Sequence, residues 1–125
     1  MQKSAKKVVA AVGDLFFMAK ISDAVKRAGM TVEYAKDDKD LLAKAKDGPT
    51  LIIFDLNYAD IQALKVIPKL KGKAETRSIS LIGFVSHVQG ELKQKAQEAG
   101  CDMVLARSAF SQNLQQILKR HSGAP

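Results

Sequence analysis

The chain has 125 residues, a formal net charge of +7, 46% hydrophobic residues and 26% charged residues. That is the length and composition of one ordinary globular domain, so disordered, collagen-like and coiled-coil architectures are excluded. One cysteine, Cys101, and two histidines, His87 and His121, exclude a disulfide framework, a multi-cysteine zinc site and a histidine-rich metal centre.

Residues 8–12 are an unbroken apolar run, which predicts a strand buried on both faces. Residues 15–28 place Phe17, Ile21, Ala24, Val25 and Ala28 on one helical face, with Asp14 as N-cap and Gly29 as the stop. Residues 31–35 predict a less apolar edge strand. Leu41, Leu42 and Ala45 mark a short helix closed by Gly48 and Pro49. Residues 51–55 are the most hydrophobic strand and belong at the centre of a sheet. Ile61, Leu64, Ile67 and Leu70 repeat at helical spacing, with Pro68 expected to bend or weaken that helix. Residues 79–85 predict a fourth strand, 89–99 a fourth helix, 103–106 a fifth strand and 110–121 a fifth helix facing inward through Leu114, Ile117 and Leu118.

Five strands alternating with five helices imply parallel βαβ units joined by right-handed crossovers. The expected fold is α/β: a five-stranded parallel sheet of flavodoxin-like order 2-1-3-4-5, with helices on both faces. A single domain over residues 1–125 is expected, its core at about 7–121. Ligands of such sheets gather at the carboxyl ends of the strands. Those ends carry Val12, Gly13 and Asp14, then Asp55 with Leu56 and Asn57, then Ser86 and His87, then Arg107 and Ser108.

This arrangement resembles the receiver domain of two-component response regulators, of the chemotaxis type, over about residues 7–121. The resemblance implies that Asp55 stands at the phospho-acceptor position. It also implies that Ser86 stands at the phosphate-sensing position and Arg107 at the position of the family's strand-five lysine. The chain departs from the pattern in four places. Val12 and Gly13 replace the two acidic residues that hold Mg²⁺ in receivers, and Asp14 lies one place further on. Arg107 replaces the lysine, Ser108 replaces the proline after it, and the switch position near Leu105 is not aromatic. Mg²⁺ needs near-octahedral oxygen ligands, and Asp14 with Asp55 is a poor pair for it. Phosphoryl transfer depends on that charge neutralisation.

The expectation is therefore a degenerate, non-enzymatic pseudo-receiver that signals by protein–protein binding. It carries no cofactor, and Mg²⁺ enters only if the site functions. Its partner is a sensor kinase or a downstream effector. The expected surface spans residues 86–116 and includes His87, Ser108 and Phe110, with Phe16 beside it. The first reading of Leu15 and Phe16 is core, and the second is an exposed protein contact. Arg107 and Asp55 are expected to form a bidentate pair that, with Ser86, freezes the switch without phosphate. Ser86 to Gln89 also fits a capping box. A genuine phospho-acceptor at Asp55 is the alternative. A basic nucleic-acid-binding domain comes third, resting on Lys65, Lys69, Lys71, Lys73 and Arg77. The charge surplus is +3 in residues 1–48, +2 in 49–90 and +2 in 91–125, which is dispersed, and no aromatic residue interleaves the cluster. Neither GxGxxG nor GxxxxGK[ST] occurs. The chain ends with the fifth helix, so no output domain is expected. No signal peptide or membrane span is expected either, so a cytoplasmic monomer or weak homodimer is anticipated.

Overall fold

The computed structural model describes residues 6–86 and 90–123. Its elements run β1 (Lys7–Ala11), α1 (Leu15–Arg27), β2 (Thr31–Tyr34), α2 (Asp38–Ala45), β3 (Leu51–Asp55), α3 (Ala63–Lys71), β4 (Ser80–Val85), α4 (Gly90–Ala99), β5 (Met103–Ala106) and α5 (Arg107–His121). The five strands form one parallel sheet in the order β2-β1-β3-β4-β5. This is the flavodoxin-like order expected from the alternation of strands and helices.

All five residues of β3 are buried, as its central place requires, whereas no residue of the edge strand β2 is fully buried. Pleating sends alternate side chains to opposite faces. Ile52 and Phe54 join a core with Leu41, Val66, Ile67 and Ala96 from α2, α3 and α4. Leu51 and Ile53 join the other core, with Phe17 and Ile21 of α1 and Phe110, Leu114 and Leu118 of α5. Asp55 therefore shares the pleat parity of the α1–α5 side.

Helix α1 opens on Asp14, whose Oδ1 accepts from the backbone N–H of Phe16 at 2.8 Å and of Phe17 at 3.2 Å. It closes in a Schellman turn: Gly29 N–H reaches Lys26 O and Met30 N–H reaches Val25 O, with Gly29 at φ 72°. Tyr34 ties the edge strand to this helix, its hydroxyl donating to Met18 O at 2.6 Å.

Three expectations need correction. First, α5 begins at Arg107, directly off β5, and not at Phe110. That start brings Phe110 to the inner face of the first turn, where it is fully buried. Phe110 is thus a core residue and not part of an interaction surface. Second, α3 starts at Ala63, and its inner face is Ala63, Val66, Ile67 and Leu70. Ile61 is buried in the preceding turn, while Leu64 is partly exposed. Pro68 lies on the exposed side of an unbroken helix. Third, Lys71 leaves the basic cluster. Its ammonium lies 2.9 Å from Asp102 Oδ2 and donates to the carbonyls of Arg77 and Ile79 at 3.3 Å. Asp102 Oδ2 also accepts from Leu81 N–H at 2.8 Å. This links the end of α3 to the starts of β4 and β5. Lys71→Met should cost about 1 kcal/mol, small because the pair is partly solvated. A urea midpoint unchanged from wild type would contradict this.

Cys101 is buried, with its thiol against the carbonyls of Leu81 and Met103, both at 3.3 Å. Burial pushes the thiol pKa up to about 11, so it stays protonated and unreactive at neutral pH. No helix among the described residues is long and apolar enough to cross a membrane.

Candidate signalling site at the carboxyl edge of the sheet

Asp55 ends β3 and is 7% exposed. Its Oδ1 accepts from Asn57 N–H at 2.9 Å, a tight turn that fixes the carboxylate at the sheet edge. Burial lifts its pKa above the ordinary aspartate value. Asn57 N–H and the Arg107 charge oppose that lift, and Asp14 adds to it.

A carboxyl whose folded pKa is raised binds its proton more tightly in the folded state. Its ionisation therefore lowers stability as pH rises above the ordinary aspartate range. Asp55→Asn should stabilise the fold at pH 7, by on the order of 1 kcal/mol. The gain should shrink as pH falls and the wild-type carboxyl, whose pKa burial raises, takes up its proton. Thermal melts of both proteins at pH 7 and pH 4 measure this, and a destabilised Asp55→Asn at pH 7 would contradict it.

Arg107 does not form the expected bidentate pair. Its Nη2 lies 3.9 Å from Asp55 Oδ2, beyond hydrogen-bond reach. The guanidinium instead lies 5.3 Å from the Phe17 ring centroid and 5.9 Å from that of Phe84. Those rings form a cluster with Phe110, the Phe17–Phe84 centroids at 4.9 Å and the Phe84–Phe110 centroids at 4.7 Å. The rings hold the arginine over the aromatic core, a contact worth roughly 0.5–1 kcal/mol where solvent still reaches it. A single ion contact at 3.9 Å, with the arginine 42% exposed, adds little to that.

Ser86 does not complete a lock with this pair either. Its backbone N–H donates to Asn57 Oδ1 at 3.1 Å, and its hydroxyl is 3.4 Å from the same oxygen. Asn57 thus bridges the ends of β3 and β4, a role the sequence reading did not assign. Leu105 is half-buried and Ser108 is exposed. Phe16 is 66% exposed and Leu15 is 80% exposed, so both leave the core and stand on the surface at the start of α1. His87 and Gln89, and with them the capping box, lie outside the described residues.

The first strand end carries the decisive feature. Val12 is buried and apolar. A Cβ on Gly13 would overlap the Tyr58 ring, whose Cδ1 and Cζ atoms would stand 2.9 Å away. Tyr58 occupies the space that a side chain at position 13 needs. Asp14 already spends Oδ1 on the α1 cap. The buried Asp55 carboxylate is thus joined at this edge by an apolar Val12 and a Gly13 covered by Tyr58. Among the described residues no cluster of three His, Cys, Asp or Glu side chains is placed to hold a metal. These residues do not fit Mg²⁺, which needs several oxygen ligands.

No protein-family model and no curated protein matches this chain. Solved structures do. The chemotaxis response regulator CheY4 of Vibrio cholerae is similar with a TM-score of 0.79 at 22% identity, covering 94% of this chain and 98% of that one. The receiver domain of the sensor histidine kinase PA1611 from Pseudomonas aeruginosa PAO1 gives 0.80 at 17% identity, covering 97% and 100%. A response regulator from Thermotoga maritima gives 0.75 at 14%, covering 97% and 100%.

The fold is the response-regulator receiver fold. The PA1611 receiver holds a magnesium ion in its active-site cleft. In this chain the end of β1 presents Val12 and a Gly13 covered by Tyr58.

Proposed function

We propose that the chain is a pseudo-receiver: a signalling module of receiver fold that acts by binding another protein and does not take a phosphoryl group through Mg²⁺. The Tyr58 ring over Gly13 carries this reading, because it fills the place a second carboxylate would need. The 3.9 Å separation of Arg107 Nη2 from Asp55 Oδ2 supports it as well, since the cation makes no hydrogen bond to the carboxylate. The protein partner is a sensor kinase or a downstream effector. Leu15 and Phe16, exposed at the sheet edge that carries Asp55, offer it an apolar contact.

Incubation with a small-molecule phosphodonor such as phosphoramidate, with Mg²⁺, tests this by intact-mass spectrometry. The expected spectrum is unmodified protein for wild type and Asp55→Asn alike. A phosphoryl adduct on wild type that Asp55→Asn loses would instead establish Asp55 as a working phospho-acceptor.

A further inference from the structure

Beside the Asp55 edge, a depression of about 660 Å³ opens between α1 and α5, lined by Phe17, Ser86, Arg107, Ser108 and Ser111. Among the described residues, neither Asp55 nor any other carboxylate lines it. Its volume falls in the range of small-molecule sites and is far larger than a bare phosphate requires.

Its chemistry is one-sided. Arg107 brings a guanidinium whose ion contact among the described residues is the 3.9 Å approach to Asp55. Arg107 Nε is fully buried and has no hydrogen-bond partner among the described residues. Lys20 adds a second cation, its Nζ donating to Ser111 Oγ at 2.5 Å. Ser108 and Ser111 supply hydroxyl donors, while the Ser86 hydroxyl at the margin is directed to Asn57 Oδ1. Helix α5 starts on Ala106, which supplies no side-chain cap, and its first-turn N–H groups favour negative charge. Phe17 provides an apolar wall beneath these donors.

We propose that this depression binds a small organic anion non-covalently: one phosphate or carboxylate head with an apolar body. The head sits against Arg107, the serine hydroxyls and the start of α5. The body lies along Phe17. This site is independent of phosphorylation at Asp55, and it stands whether or not the pseudo-receiver reading holds.

The test is an amide NMR titration in the Asp55→Asn background, which removes any covalent chemistry at that carboxylate. The probes are phenyl phosphate, benzoate and inorganic phosphate. Saturable shifts of Ser86, Arg107, Ser108 and Ser111 with phenyl phosphate or benzoate are expected, and the tighter of the two identifies the head. Inorganic phosphate should bind at least several-fold more weakly.

Ser108→Asp then places a carboxylate in the depression. An acidic residue suits the first turn of a helix, so the variant should remain folded. It should weaken binding at least tenfold. Arg107→Gln should do the same by removing the charge. Non-saturating shifts, undiminished binding by Ser108→Asp, or equal binding of inorganic phosphate and phenyl phosphate would each overturn the proposal.

Discussion

Phe110→Ala should destabilise the domain by about 3–5 kcal/mol, the usual cost of deleting a buried aromatic ring. Phe110 is fully buried, with its ring stacked on Phe84 at 4.7 Å and 22°. The Phe17 ring stands 6.1 Å from it. Losing the ring would open a cavity beside Phe84 and Phe17, the two rings on which Arg107 rests. Urea unfolding measures the loss directly. The companion change Phe16→Ser, at a residue 66% exposed, should stay within about 0.5 kcal/mol of wild type. A loss below about 1 kcal/mol for Phe110→Ala would place that ring at the surface, against the burial described.

Gly13→Ala should cost about 1–3 kcal/mol, because the added methyl collides with the Tyr58 ring and one of them must move. Glycine is needed at this position for a close approach and not for an unusual φ. The collision is specific to one partner, so Tyr58→Ala should remove most of the cost. A double-mutant cycle reads this coupling as the excess stability of the pair over the two single changes, on the order of 1 kcal/mol or more. Additive effects would mean that Tyr58 does not cover Gly13. The observation on which the pseudo-receiver proposal rests would then be lost with it.

Much of the architecture was legible because its signals are local. Apolar runs marked β1 and β3, and helical spacing from Phe17 to Val25 marked α1. The start of α5 escaped notice because it carries no capping signal. Ala106 is the N-cap residue and has no capping side chain. That shift of three residues is what moved Phe110 from surface to core. The phase of α3 was misjudged for a related reason. Ile61 fits the three-residue spacing but sits in the turn closed on Tyr58, so the helical face does not include Leu64.

At the site, the residues on the strand ends could be read from order alone. Their pairings could not, because they depend on contacts between distant segments. Arg107 rests on Phe17 and Phe84, and Ser86 turns to Asn57. Tyr58 meets Gly13 across the sheet edge, and no local pattern marks an aromatic residue as the occupant of a vacated ligand position. The missing acidic pair was visible at Val12 and Gly13 in the chain itself. What fills the space was visible only in three dimensions.

The most direct measurement is an amide NMR titration of wild type and Asp55→Asn with Mg²⁺, followed by beryllofluoride as a phosphoryl mimic. The expected result is a folded spectrum in which Asp55, Asn57, Ser86 and Arg107 do not shift in either protein. Saturable, Asp55-dependent shifts of these residues would contradict it, and would show that the carboxylate still gathers a metal and a phosphoryl group despite Tyr58.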